Sequence, residues 1–243
     1  LPSRTFSSAW MSRDGAPQWI KVDLGKSRKF SSLTFHWIHQ PGKGSIEVTF
    51  DVVDYELVFN KEPEYSVSSG GRVEMIGNHT DHNLGKVLAG SINLDTEAAV
   101  HKTDDNKIYF ISEGYSEMHV DLDNLNVDES LFGKSEAMIK GVANAILKRG
   151  GRIGGFCANA NSTVLPGSGL SSSACFEVLI GTIFNNLYND DRFTPVELAI
   201  MGQEAENVYF GKPSGLMDQV ACAHGGIVCI DFRDRSNPVI VPV

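Results

Sequence analysis

The chain is 243 residues long, 42% hydrophobic, and carries a formal net charge of -9. That length and apolar content fit one large or two small packed domains and exclude a disordered tail. The negative charge argues against a general nucleic-acid binder, because such affinity rests on basic faces and counterion release, but it leaves room for small anions held by backbone amides.

No run of about 18 apolar residues occurs and the first residues lack a basic-then-apolar secretory pattern, so no membrane association is expected. Cys157, Cys175, Cys222 and Cys229 show neither CxxC spacing nor a Cys/His cluster of zinc type. Buried free thiols in a reducing, cytoplasmic compartment are the expectation. The chain starts at Leu1 rather than Met, which suggests that the natural N-terminus lies upstream.

In chain order, residues 1–44 form a β-rich leader that contains all the tryptophans, Trp10, Trp19 and Trp37. Strands are predicted at 19–24 and 32–38, separated by Gly25-Lys26-Ser27. From residue 45 the pattern is that of a mixed α and β domain running to 243. Strands are expected at 46–59 and 86–100, and a hairpin at 107–112 and 117–122 turns at Glu113-Gly114. Met138, Val142, Ala145 and Ile146 fall at helical spacing, and Gly150-Gly151 ends that helix. A strand at 152–160 then enters a loop at 161–170. Helices follow from the serines at 171–173 to about 188 and over 195–208, the second with Thr194 as N-cap and Pro195 in its first turn. A last strand covers 227–231.

Three segments carry chemistry. In the first, Pro166-Gly167-Ser168-Gly169-Leu170-Ser171-Ser172-Ser173-Ala174, small residues and hydroxyls stand where a loop becomes a helix. Glycines admit a phosphate without Cβ clashes, and the first helical amides are unpaired donors, so the segment reads as an anion cradle. No lysine follows as in a Walker A loop, and taken alone the segment is equally a capped ordinary helix.

The second runs Gly71-Arg72-Val73-Glu74-Met75-Ile76-Gly77-Asn78-His79-Thr80-Asp81-His82-Asn83 and concentrates polar side chains between two strand-like runs. Such a set suits the hydroxyls of a sugar, or is a polar surface turn. The third, residues 202–219, places Glu206 near a helix end and Asp218 after a Gly/Pro loop, as one carboxylate for a metal and one as a base, or as two solvated surface acids.

Gln18-Trp19-Ile20-Lys21-Val22-Asp23-Leu24-Gly25-Lys26 followed by Leu33-Thr34-Phe35-His36-Trp37 resembles a fragment of a discoidin-type (factor 5/8 C) carbohydrate-binding sandwich, either a working module or a non-native leader. The three chemical segments, in order and spacing, resemble the first two signature motifs and the catalytic-aspartate segment of the galactokinases, in the GHMP small-molecule kinase family, closest to the variants written GNHTDH.

That resemblance implies an α+β fold, the GHMP N-terminal domain similar to domain 2 of ribosomal protein S5, with a left-handed βαβ crossover. It implies ATP and Mg2+ as co-substrate and cofactor and a sugar 1-kinase activity. Asp218 would take the proton from the anomeric hydroxyl and Arg72 would stabilise the transition state. Asn78, His79, Thr80, Asp81 and Gly215 would bind the sugar. Gly167, Ser168, Gly169, Leu170, Ser171, Ser172 and Ser173 would surround the phosphates, with Ser173 and Glu206 as magnesium ligands.

Three departures stand out. Asn78 replaces a glutamate that contacts the sugar in many galactokinases, Ser69-Gly70-Gly71 replaces the usual proline before Gly-Arg, and the sequence stops at Val243 before the C-terminal domain that closes the site. A monomer is expected once completed. Galactose is the first expectation for the sugar, with N-acetylgalactosamine or a uronic acid behind it, and a non-catalytic galactose and ATP sensor is the rival class.

Overall fold

A computed structural model describes residues 61–77, 83–112, 115–234 and 238–243 in full and the backbone of 32–38 and 45–51. The chain divides into two compact units, residues 1–60 and 61–243. In the first, β1 (Ser32–Ile38) pairs antiparallel with β2 (Ser45–Asp51), Ser32 opposite Asp51 and Ile38 opposite Ser45. The β1 bounds are those expected. β2 belongs with this first unit through its pairing with β1, and the unit extends past the expected boundary at 44/45. The strand expected at 19–24 lies outside the described residues, as does the turn at Glu113-Gly114.

The second unit is built on one mixed sheet. Its strands are β3 (Tyr65–Ile76), β4 (Lys86–Lys102), β5 (Lys107–Ser112), β6 (Met118–Asp121), β7 (Phe156–Ser162), β8 (Ile227–Asp231) and β9 (Val239–Pro242). Along the sheet the order is β6-β5-β7-β4-β8-β9, and β3 also pairs with β4. The long β4 organises it: its C-terminal part pairs with β7, its N-terminal part with β8, and β3 runs antiparallel to both parts. β5 and β7 are parallel, and the chain between them passes through β6 and the helix α1 (Ser135–Lys148).

The other helices are α2 (Ser172–Tyr188), α3 (Pro195–Ala205), which widens into a π turn over Glu206–Phe210, and α4 (Met217–His224). α1 buries Met138, Ile139, Val142 and Ile146 on one face and stops where Gly150 takes φ +70°. α3 starts at a full capping box, in which the Thr194 hydroxyl accepts from the Glu197 amide and the Glu197 carboxylate accepts from the Thr194 amide. Such a cap stabilises a helix by about 1 kcal/mol. Ile108, Phe110, Ile139, Phe156, Ile180 and Phe184 form the main core between sheet and helices, with Phe156 and Phe184 edge to face at 5.4 Å. A second core under α4 joins Val87, Met217, Val220, Ile230 and Phe232.

Three expectations are corrected. The stretch around Ser69-Gly70-Gly71-Arg72 is not a loop but the middle of β3. Its glycines mark close approach: a Cβ on Gly70 would strike the Ser91 hydroxyl, and one on Gly71 would sit 3.0 Å from the Leu170 carbonyl oxygen. Asp218 follows the Gly/Pro loop as expected, in the first turn of α4. The helix expected over 195–208 is α-helical only to Ala205, and β7 begins at Phe156 rather than 152.

Candidate active site

The site is assembled where β3, the loop before α2, the π turn and α4 converge. Arg72 emerges from β3 beside that loop, its amide bonded to the Leu170 carbonyl at 3.1 Å. Its guanidinium donates to both carboxylate oxygens of Asp218, Nε to Oδ1 at 2.8 Å and Nη2 to Oδ2 at 3.0 Å, and Nη1 donates to the Gly169 carbonyl at 2.8 Å. Burial works against its charge, but the hydrogen bond and attraction of Asp218 outweigh that and raise the guanidinium pKa above its ordinary value. The Ser171 hydroxyl donates to Asp218 Oδ2 at 2.5 Å. Asp218 keeps 30% of its side chain exposed, so the fixed carboxylate still has an open side.

The loop ahead of α2 has the geometry of an anion cradle. Gly167, Gly169 and Ser171 take φ of +75°, +78° and +61°, alternating with residues of ordinary hand. Such alternation turns successive N–H groups to one side. A Cβ on Gly167 or Gly169 would meet nothing within 4 Å, so the glycines border open space. Ser171, the N-cap, does not cap the helix with its side chain, which is engaged on Asp218 instead. The first amides of α2 are thereby left for another acceptor.

On the other side of the loop, the Ser173 hydroxyl donates to Glu206 Oε1 at 3.1 Å and the Lys212 ammonium donates to the same oxygen at 3.0 Å. Glu206 opens the π turn and is 2% exposed. Its second oxygen, Oε2, accepts from Gln219 Nε2 at 2.9 Å, and that amide nitrogen also donates to Glu177 Oε2 at 3.0 Å. Burial first, and the neighbouring charge of Glu206 second, push the Glu177 pKa well above the usual carboxylate range.

Ser173 and Glu206 supply hard oxygen donors, the kind magnesium takes when phosphates and water complete its shell, so these residues fit that ion. Among the described residues no group of three or more His, Cys, Asp or Glu side chains is placed to hold a metal alone.

The structure therefore brings together Arg72, Gly169, Ser171, Ser173, Glu206 and Asp218, with Gly167, Ser168, Leu170 and Ser172 in the same loop and helix start. Gly215 is half-buried in the segment leading to α4. That segment is tied to the preceding helix through Ser214, whose amide donates to Asn207 Oδ1 at 2.6 Å. Asn78, His79, Thr80 and Asp81 lie outside the described residues. Sequence reasoning passed over Glu177, Gln219 and Lys212. For Glu177 a signal existed: an acid inside the apolar run Cys175-Phe176-Glu177-Val178-Leu179, one helical turn after Ser173.

Residues 137–226 match the family model of the GHMP kinase N-terminal domain, and residues 54–102 match the galactokinase galactose-binding signature. The second unit thus has the fold of a GHMP kinase N-terminal domain.

Its likeness in sequence is to the galactokinases. It is 37% identical over 160 residues to the galactokinase of Clostridium tetani, covering 65% of this chain and 40% of the relative. The crystal structure of Lactococcus lactis galactokinase complexed with galactose matches with a TM-score of 0.70 at 30% identity, over 78% of this chain and 50% of that one. Methanococcus jannaschii mevalonate kinase, at 17% identity and a TM-score of 0.60 over 74% of this chain and 55% of that one, shares the fold. The chain spans half or less of the length of the galactokinases it matches.

Proposed function

We propose that this chain supplies the ATP- and sugar-binding half of a sugar 1-kinase that transfers the γ-phosphoryl group of ATP to the anomeric hydroxyl of galactose. The observation that carries this reading is the Arg72–Asp218 pair, a carboxylate held at both oxygens with one open side, standing beside the anion cradle of residues 167–171. Phosphoryl transfer asks little covalent chemistry of a protein. It needs an aligned hydroxyl, neutralised phosphate charge and somewhere for the proton to go.

Asp218 would accept the proton of the anomeric hydroxyl, and Ser171 and Arg72 keep its oxygens in place for that. Arg72 stays charged throughout and would offset negative charge as the phosphoryl group moves. The loop and helix start over residues 167–173 would surround the phosphates, the Ser168 amide being already bonded to the Leu165 carbonyl at 3.2 Å. Ser173 and Glu206 would hold Mg2+, which when bound neutralises phosphate charge, and Lys212 brings a further cation to the same carboxylate oxygen. Asn78, His79, Thr80, Asp81 and Gly215 would contact the sugar.

Galactose leads because the galactose-binding signature covers residues 54–102, a span that includes Arg72 and Asn78. Asn78 brings N-acetylgalactosamine and uronic acids into the same test, since it puts a neutral amide at a position that many galactokinases fill with a charged acceptor. The remaining length of the galactokinase relatives would contribute a domain that closes over the substrates, the completed protein acting as a monomer. A cytoplasmic setting belongs to the same proposal, supported by four free cysteines. No helix among the described residues is long and apolar enough to cross a membrane.

The test is ADP release by the full coding chain with galactose, N-acetylgalactosamine and galacturonate, beside Asp218→Asn. Sugar-dependent turnover that falls about 10²-fold to 10⁴-fold in Asp218→Asn is the expected result, the usual range for loss of a general base. Full turnover in that variant removes Asp218 as the base. Galactose and ATP binding with no turnover in the parent would instead make the protein a sensor.

A further inference from the structure

We propose that Gln219 and Glu177 are positioning residues for Glu206: the Gln219 amide bridges the two buried carboxyl groups and so fixes which Glu206 oxygen is presented to a divalent cation. This rests on the reading of Glu206 as the carboxylate that holds Mg2+ with ATP.

A carboxylate can turn about its last bond, and either oxygen can then face a metal. Here the two oxygens are sorted. Oε1 faces Ser173 and the largely exposed Lys212, while Oε2 faces inward to Gln219, which is 0% exposed. An amide nitrogen has two N–H bonds at a fixed angle, and both are used, one on Glu206 Oε2 and one on Glu177 Oε2. With Glu177 as the anchor, the direction of the N–H toward Glu206 is set.

The anchor sits on α2 one turn after Ser173, so the same helix supplies a donor to Oε1 and the fixed point behind Oε2. Gly202 of α3 makes room for the joint. A Cβ there would lie 3.0 Å from Glu177 Cβ, 3.2 Å from its Oε2 and 3.4 Å from Gln219 Cγ.

A purely structural role would favour a different composition. Glu177 Oε1 and Gln219 Oε1 are buried with no hydrogen-bond partner among the described residues, a standing cost that apolar side chains of the same shape would remove. The bridge between carboxyls is what such a replacement would lose. In metal sites, partners of this kind commonly change affinity by about 10- to 100-fold when mutated.

The experiment measures Mn2+ affinity in the presence of ATP by electron paramagnetic resonance, metal-free ATP affinity, and thermal unfolding. The proteins are the full coding chain and its variants Glu206→Ala, Gln219→Met, Glu177→Met and Glu177→Gln. Gln219→Met and Glu177→Met should each weaken Mn2+ binding about tenfold or more with metal-free ATP affinity unchanged. Glu177→Gln, which still offers an acceptor to Gln219, should restore affinity to within about twofold of the parent.

Parent-like Mn2+ affinity in Gln219→Met and Glu177→Met, with binding lost in Glu206→Ala, overturns the positioning roles and leaves Glu206 as the ligand. Parent-like affinity in Glu206→Ala overturns the metal reading itself, and the positioning with it. Should Gln219→Met fail to fold, the comparison of Glu177→Met with Glu177→Gln decides: equal affinity in those two overturns the proposal, and loss in the first alone supports it.

Discussion

Replacing Asp218 by Asn separates the stability of the site from its chemistry. In the parent, Asp218 accepts from Arg72 Nε at 2.8 Å, from Arg72 Nη2 at 3.0 Å and from Ser171 at 2.5 Å. Asparagine has one acceptor oxygen in place of two, so in either orientation its NH2 group faces an arginine N–H that cannot accept. At least one charge-assisted hydrogen bond is lost, and such bonds contribute about 1.5 to 3 kcal/mol each. Water can replace part of it because Asp218 is 30% exposed, which argues for the lower end, about 1.5 to 2 kcal/mol. For a domain of this size that lowers the melting temperature by about 3 to 8 °C. The protein should therefore remain folded at assay temperature while losing the sugar phosphorylation proposed for it. The assay is a double-mutant cycle of Asp218→Asn and Arg72→Met followed by thermal or urea unfolding. Energies of the two single changes that add within about 0.5 kcal/mol in the double variant would mean the side chains are not coupled, and the geometry proposed for the base would be wrong.

Other consequences can be checked one by one. Because burial raises the Glu177 pKa in the folded state, the folded protein holds a proton there that the unfolded chain releases above the ordinary glutamate range. Its stabilising share is present below that range and is lost as pH rises toward the folded pKa, so Glu177→Gln should flatten the dependence of urea-unfolding energy on pH through this window. Gly141→Ala should cost about 1 to 3 kcal/mol by overpacking, because the new Cβ would lie 2.6 Å from Ala205 Cβ and 2.7 Å from its Cα; an unchanged melting temperature would contradict the close approach of α1 and α3. Asn78→Glu should shift the ranking of galactose, N-acetylgalactosamine and galacturonate by about tenfold, from the difference between a neutral and a charge-assisted hydrogen bond; an unchanged ranking would show that Asn78 does not set specificity.

The elements that could be read from sequence are those whose signal is local. β1 and β5 follow from short apolar alternation, and the start of α3 from Thr194, Pro195 and Glu197, which cap the helix without help from the rest of the fold. β3 was hidden because Gly70-Gly71 has the composition of a turn, whereas its glycines serve close contacts with β4 and with the loop before α2. α4 has eight residues, too few to show a period, and its position depends on the second core. Within the site, the resemblance to galactokinases brought Arg72 and Asp218 into view, but nothing in the spacing of residues 146 positions apart states that they meet at both carboxylate oxygens. Glu177 and Gln219 were missed because each looks ordinary until the other is placed beside it.

The order of residues on α4 bears on how the two halves of the site depend on each other. Asp218 and Gln219 are consecutive, and neighbours on a helix point about 100° apart. One therefore reaches back to Arg72 and Ser171, while the other reaches Glu206 and Glu177. The helix itself is held from beneath by Met217, Val220 and Ala221, all buried, so its first turn has little freedom to rotate. The carboxylate that would take a proton and the amide that would orient a metal ligand are thus set by one rigid segment. Ser171 and Ser173, two residues apart at the start of α2, donate to Asp218 and to Glu206 from the other side. A displacement of α4 against α2 would loosen the Asp218 and Glu206 contacts together, so the proton-accepting and metal-holding functions proposed for the site are mechanically coupled.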